Sequence, residues 1–401
     1  MKIKTIATLI LLIPILISAQ KNSYVVLVSF DGFRWDYLNR DITPNLEKVR
    51  NEGVSALSLR PTFPSKTFPN HLSIITGMYP VNHGIISNTI NDPVRDRIYK
   101  LSDSNEVRDP YWYQGEAFWE TAERNGIKTA SFYWPGSEVT LGYRRPSYYI
   151  NYKHSFPYES RIEGVIDWLK LPSTERPHFI TLYMHETDDF GHHFGPNHAE
   201  INKAIKRLDD MAGLLFEKLE DVGMKDSVNI IFVSDHGMTE VTTTKFINIE
   251  KILSNYKCRF EDEGPILQVY PESSDLHEVY QLLKSSEKNF KVYLKEDLPE
   301  HYHYKTHRLI APIICLADMG WTLHSNRIPR WKTDSGGNHG YDNNHLDMHG
   351  IFLATGPNFK SGYQTGTLWN IDIYPLLCKI FNIYPRSNID GKAERIEFIL
   401  K

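Results

Sequence analysis

Cysteine is scarce in this sequence: three in 401 residues, at Cys258, Cys315 and Cys378. That excludes a disulfide scaffold and any zinc site built mainly of thiolates. Basic excess is also lacking, with 45 Lys+Arg against 49 Asp+Glu and a formal net charge of −4. A nucleic-acid scaffold needs the opposite balance. Beyond the N-terminus no apolar run approaches the roughly 20 residues of a membrane-spanning helix. No internal repeat or low-complexity linker is visible. At 41% hydrophobic and 23% charged, the chain is close to average, which excludes disorder, collagen-like repeats and coiled coil. Histidine, by contrast, is plentiful. Seventeen beside the 49 acidic residues leave metal sites of imidazole and carboxylate open.

The strongest apolar stretch, Ile6 to Ile17, follows Lys2 and Lys4 and precedes Ser18-Ala19-Gln20. This pattern predicts a signal peptide over residues 1–19, cleaved after Ala19. An uncleaved anchor is the alternative, but the run is short for a span. No cysteine near the cleavage site suits a lipid anchor. The expectation is a secreted or periplasmic monomer with no stable membrane span. Loss of Lys2 and Lys4 takes the charge to −6, with 43 basic residues against 49 acidic.

Short apolar runs then alternate with helical patterns. Tyr24 to Phe30, Lys128 to Tyr133, Phe179 to Met184 and Val228 to Val233 read as buried strands. Between the last two, Ile201, Ile205, Leu208, Ala212, Leu215 and Leu219 recur at helical spacing, and Gly223 closes the pattern. Strand–helix–strand in this order predicts an α/β fold with a doubly wound, mostly parallel sheet and helices on both faces. From 245 to 332 strand-like pieces and one short helical piece read as an inserted, smaller α+β subdomain. It divides a core made of 20–244 and 333–401. The polar stretch from Ile90 to Tyr111 reads as a surface loop over the site.

Ligands of open parallel sheets bind beyond the carboxyl ends of the strands. There the sequence has Asp31-Gly32, the run Asp188-Asp189-Phe190-Gly191-His192-His193, and Ser234-Asp235-His236-Gly237. A later glycine-rich turn carries Asn338-His339-Gly340. One such aspartate is commonly a cap or turn former. Four clusters at strand exits and glycine turns point instead to a divalent metal. By spacing alone Asp188 with His192 and Asp189 with His193 are equally good pairs. Thr67 follows Pro64-Ser65-Lys66 at a predicted helix start. Its plain reading is an N-cap. Its functional reading is a nucleophile, activated beside a metal ion at a helix N-terminus.

Together these motifs resemble the nucleotide pyrophosphatase/phosphodiesterase family of the alkaline phosphatase superfamily. The shared segments are Ser29-Phe30-Asp31-Gly32-Phe33-Arg34, Lys66-Thr67-Phe68-Pro69-Asn70-His71, Thr76-Gly77-Met78-Tyr79-Pro80 with His83-Gly84-Ile85-Ile86, and Trp134-Pro135-Gly136-Ser137. The Asp188 and Asp235 runs and Gly337-Asn338-His339-Gly340-Tyr341-Asp342 complete them. The resemblance covers essentially the whole mature chain and implies an alkaline phosphatase-like core with two Zn2+ per chain. One zinc would be held by Asp31, Asp235, His236 and the Thr67 oxygen, the other by Asp188, His192 and His339. The register Asp188/His192 rests on the resemblance, leaving Asp189 and His193 as partners behind it. Asn88 matches the amide that donates to a phosphate oxygen.

The resemblance also implies a pocket. Phe68 and Tyr152 would hold a nucleobase between them, with Trp134 and Tyr183 lining it. Aromatic stacking accepts any base. The sulfatase branch is discounted, because the frame Thr67-Phe68-Pro69-Asn70 lacks its arginine. The expected substrate is a small nucleotide. Hydrolysis of a phosphodiester or pyrophosphate bond through a phospho-threonine intermediate would release a nucleoside 5′-monophosphate. The alternative is a phosphodiesterase of choline phosphodiesters or lysophospholipids; Glu138, where nucleotide-hydrolysing members often have Asp, leaves base preference open.

Overall fold

The strand Tyr24–Phe30 (β1) is buried at all seven positions. Val25 and Leu27 point into one apolar cluster, while Tyr24, Val26, Val28 and Phe30 point into another. A strand with two dry faces lies at the centre of a sheet covered on both sides. The computed structural model describes residues 23–325 and 335–401; the predicted signal peptide lies outside them.

The remaining strands used here are Val54–Ala56 (β2), Thr129–Phe132 (β3), Tyr148–Ile150 (β4), Phe179–Met184 (β5) and Val228–Val233 (β6). Then come Cys258–Glu261 (β7), Ile266–Pro271 (β8), Phe290–Leu294 (β9) and Ile313–Ala317 (β10). Phe352–Thr355 (β11) and Tyr363–Thr365 (β12) complete the set. The main sheet has eight strands in the order β12-β2-β11-β6-β1-β5-β3-β4. All neighbours are parallel except β11, which runs antiparallel to β6 and β2. The predicted α/β, mostly parallel sheet is therefore the observed one.

The helices needed below are Thr67–Thr76 (α1), Glu186–Phe194 (α2), Ala199–Asp221 (α3) and Leu276–Ser285 (α4). All six periodic residues read from the sequence, Ile201 through Leu219, are buried on α3. Each large one contributes about 1.5–3 kcal/mol when fully removed from water. Gly223 (φ +68°) donates its N–H to Glu220 O, closing the helix end as expected.

A second sheet, antiparallel in the order β7-β8-β10-β9, packs with α4 around Leu267, Val279, Leu283 and Val292. The chain leaves toward it along Thr239–Thr242 and returns along Ser335–Asn338, and the two segments pair antiparallel. The stretch read as a loop from Ile90 differs. Thr89–Asp92 and Arg97–Lys100 form a hairpin, with Ser104–Arg108 helical after it. Ile90 and Tyr99 are opposite each other in that hairpin and both are buried. These two buried apolar anchors fold the hairpin onto the body, while its other apolar residues, Val94 and Ile98, are exposed.

Candidate active site

Asp31 and Asp235 emerge side by side because β1 and β6 are parallel neighbours, with Ser29 opposite Val233. The Gly32 N–H donates to Asp235 Oδ1 at 3.2 Å. On the other side of β1, β5 leads into α2, whose first turn carries Asp188 and whose next carries His192. Gly32 adopts φ +65°, and a Cβ there would come 3.0 Å from Asp188 Cα. Glycine is what lets these two segments touch. His339 arrives from the returning strand Ser335–Asn338. The sequence reading of a glycine turn is corrected here: Gly336 and Gly337 are strand residues. A Cβ on Gly337 would lie 2.4 Å from Gly191 O, so the strand must be bare to pass α2.

The three histidines are oriented alike. His192 donates its Nδ1–H to Gly337 O at 3.0 Å, His236 to Gly237 O at 2.8 Å, and His339 to Ser65 O at 2.9 Å. Each Nε2 is thereby left as a lone pair facing the cluster, the orientation seen in metal-ligating histidines. His236 Nε2 lies 3.0 Å from Asp235 Oδ2 and 3.4 Å from Asp31 Oδ1. His192 Nε2 and His339 Nε2 lie 3.4 and 3.6 Å from Asp188 Oδ1. The His236 and His339 rings stack with centroids 3.5 Å apart.

The carboxylates are left short of partners. Asp31 Oδ1, Asp188 Oδ1 and Asp235 Oδ2 are buried without a hydrogen-bond partner among the described residues. Burial, then the charges of Asp235 and Asp188, push the Asp31 carboxyl well above its ordinary range. Burial works against charge on Asp235 too, yet His236 and His71 hold it well below the usual value. Burial, His236 and His192 keep His339 neutral. Such a set, with three inward Nε2 atoms and three orphaned carboxylate oxygens, fits divalent cations of the zinc type. Asp188, His192 and His339 converge within 4.8 Å, as do Asp31, Asp188 and His236, and Asp31, His71 and Asp235.

Thr67 is the first residue of α1, and extended Lys66 is its cap. The N-cap reading is thus corrected, and the hydroxyl is not spent on capping. Its Oγ1 lies 3.3 Å from His236 Nε2. Asn88 Oδ1 accepts from the Phe68 N–H at 3.1 Å. With its oxygen so engaged, the amide NH2 is the end left to donate.

Of the aromatics, Tyr152 is 44% exposed and packs edge-on against Tyr183, with centroids 6.2 Å apart. Phe68 is half-buried against Tyr99. Trp134 is buried, and its indole N–H donates to the His71 carbonyl at 3.1 Å. Tyr183 donates its hydroxyl to Asp31 Oδ2 at 2.6 Å. That hydroxyl contact was not foreseen from the sequence.

His71, within the shared segment 66–71, also reaches the site. It sits one turn after Thr67, lies 3.4 Å from Asp235 Oδ2, and bonds Thr67 O and Ser29 Oγ. The i,i+4 spacing of Thr67 and His71 was the available signal. Asp189 turns away from the Asp188 cluster toward His154 Nε2 at 3.1 Å and His185 Nε2 at 3.6 Å, while His154 Nδ1 meets the Tyr152 hydroxyl.

A family model described as type I phosphodiesterase/nucleotide pyrophosphatase matches residues 25–342. The chain is 38% identical over 389 residues to human ectonucleotide pyrophosphatase/phosphodiesterase family member 1, covering 94% of this chain and 42% of that protein. It thus spans about two fifths of that relative's length. It is 38% identical to the bis(5′-adenosyl)-triphosphatase of Pongo abelii, covering 91% of this chain and 79% of that one. A solved murine ectonucleotide pyrophosphatase/phosphodiesterase 5, an inactive threonine-to-alanine variant in complex with AMP, is similar at a TM-score of 0.88 and 32% identity. That match covers 94% of this chain and all of the murine one. With the fold, the site and the profile match in agreement, the chain belongs to the type I phosphodiesterase/nucleotide pyrophosphatase family.

Proposed function

We propose that the protein is an exported, monomeric, metal-dependent phosphodiesterase/nucleotide pyrophosphatase with Thr67 as nucleophile. One observation carries the reading. A threonine hydroxyl at a helix N-terminus, not used for capping, faces His236 Nε2 at 3.3 Å, in a site where three buried carboxylates each have one oxygen without a partner. Asp31, Asp235, His236 and Thr67 would hold one zinc ion, and Asp188, His192 and His339 the other. When bound, such cations supply positive charge where the attacking and leaving oxygens become negative.

The chain's own groups do the rest. Thr67 Oγ1 attacks phosphorus and gives its proton to solvent. A P–O bond forms as the bond to the leaving oxygen breaks, and that oxygen leaves as an alcohol or a phosphate. Asn88 donates its amide N–H to a non-bridging oxygen. A neutral amide suits a diester, which carries one charge fewer than a monoester. Water then cleaves the phospho-threonine ester, freeing the nucleoside 5′-monophosphate and restoring the hydroxyl. Phe68 and Tyr152 would hold the base by stacking, worth about 1–3 kcal/mol each. An inactive threonine-to-alanine variant of a murine relative, solved with AMP, supports both the nucleophile type and the nucleotide class. No described helix is long and apolar enough to cross a membrane, and the N-terminal pattern suits export.

The test is a substrate panel on the purified mature protein: a p-nitrophenyl ester of thymidine 5′-monophosphate, ATP, a dinucleotide and glycerophosphocholine. Nucleotide turnover is expected to lead. Thr67→Ala should lose at least about 1,000-fold in kcat while binding the same metal complement. Retained turnover in that variant refutes the nucleophile, and preference for glycerophosphocholine refutes the nucleotide class.

A further inference from the structure

Asp262 lies in the turn between β7 and β8 of the second sheet, far in sequence from the catalytic segments. Its φ of +68° is in the left-handed region, which aspartate enters more readily than most residues. Its two oxygens are divided between two segments of the main body. Oδ1 accepts from Lys66 Nζ and Oδ2 from Ser87 Oγ. The ion pair is well covered, with the two side chains 9% and 4% exposed. Lys66 directly precedes Thr67, and Ser87 directly precedes Asn88. A third link joins the same segments, the Phe68 N–H to Asn88 Oδ1 at 3.1 Å. The chain and these contacts form a closed ring: Asp262, Lys66, Thr67, Phe68, Asn88, Ser87 and back to Asp262.

We infer that Asp262 is a positioning residue that fixes the spacing between the Thr67 hydroxyl and the Asn88 amide. The inference rests on the roles proposed above for those two residues. Both groups must meet one phosphorus centre, the hydroxyl at phosphorus and the amide at its oxygen. An error of about 1 Å in such an arrangement costs about 100-fold in rate. A buried ion pair contributes little net stability against a well-packed apolar pair. Docking alone therefore gives no reason for one carboxylate to engage both residues that precede the reacting groups. The second sheet becomes part of the catalytic frame, although among the residues assigned to the reaction none lies on it.

The experiment is a double-mutant cycle on the full, metal-loaded chain. Asp262→Asn, Asn88→Ala and their combination are assayed with the nitrophenyl nucleotide ester. Metal content and melting temperature are measured alongside. Asp262→Asn should lower kcat about 10- to 100-fold, with KM within about twofold and metal content unchanged. In the Asn88→Ala background the same change should cost less than about threefold. Equal factors in both backgrounds, or an unchanged kcat, overturn the inference and leave Asp262 a docking residue. If Asp262→Asn does not fold, Ser87→Ala takes its place in the cycle with the same two outcomes. Thr67→Ala is run beside them. An inactive Thr67→Ala with an additive cycle sinks only this inference, whereas an active one removes the reading beneath it.

Discussion

At position 83 a histidine is held neutral by its own surroundings. His83 is fully buried, its Nδ1 accepts from the Ile85 N–H at 3.2 Å, and its Nε2–H reaches Pro69 O at 3.1 Å. Burial pushes its pKa down to about 3, against about 6.5 unfolded. The unfolded chain then binds the extra proton between those values, so stability rises with pH across the window. It is fully present above about 6.5 and is lost as pH falls toward about 3, at up to about 1.4 kcal/mol per unit. His83→Gln should flatten the fall in melting temperature between about pH 6.5 and 4 relative to wild type; an unchanged slope would contradict the assignment. The sequence shows His83 only as part of a shared segment; its buried, neutral state does not show there, because a histidine's neighbours are set by tertiary packing. Asp31, Asp235 and His236 were legible for the opposite reason: they come just after β1 and β6, and Asp188 and His192 lie on the helix after β5, so parallel chain direction brings them to one edge. His339 comes from the returning ribbon instead. Tyr183 was legible only as an aromatic. Its hydroxyl bond to Asp31 follows from the parallel pairing of β1 with β5, Ser29 opposite Tyr183.

Elements were legible where burial wrote a pattern. β1, β5 and β6 appear as continuous apolar runs because both faces are dry, and α3 as a three-and-four spacing. The hairpin from Thr89 to Lys100 was missed because of its apolar residues only Ile90 and Tyr99 are buried, while Val94 and Ile98 face solvent, so no apolar alternation is written in the sequence. The returning strand at Ser335–Asn338 was missed because glycine has low strand propensity; closeness of approach, not propensity, decided it. A test follows at this scale. Gly337→Ala places a methyl 2.4 Å from Gly191 O and 2.8 Å from Met238 Cγ. Overpacking of this kind costs about 1–3 kcal/mol. The strand must shift, and His339 with it. Chemical denaturation should show that loss, and a zinc titration should show weaker binding. A variant with wild-type values for both would mean that the ribbon yields without moving the histidine.

For the molecule as a whole, the metal-dependent reading would make folding and metal occupancy one equilibrium, because each of three buried carboxylates has one oxygen without a partner. Ions held at about 100 times their dissociation constant add about 2.7 kcal/mol per site. Chelation should therefore lower the melting temperature and abolish turnover together, and zinc readdition should restore both. Activity that survives chelation would refute the metal-dependent mechanism. The three cysteines are free thiols, so a restored protein needs no oxidative step. The α/β class was legible at this scale, while the mutual grip of the two sheets was not, since Asp262 shows no pattern in sequence. The paired ribbon of Thr239–Thr242 and Ser335–Asn338 has a temporal consequence. Asp31, Asp188, Asp235 and His236 are synthesised well before His339, and the second sheet is made between them. The second ion site proposed above, Asp188, His192 and His339, therefore lacks one imidazole until the residues of the second sheet have been made. The first proposed site, Asp31, Asp235, His236 and Thr67, needs no residue beyond 236, so a chain truncated before 339 would hold that site and only part of the other.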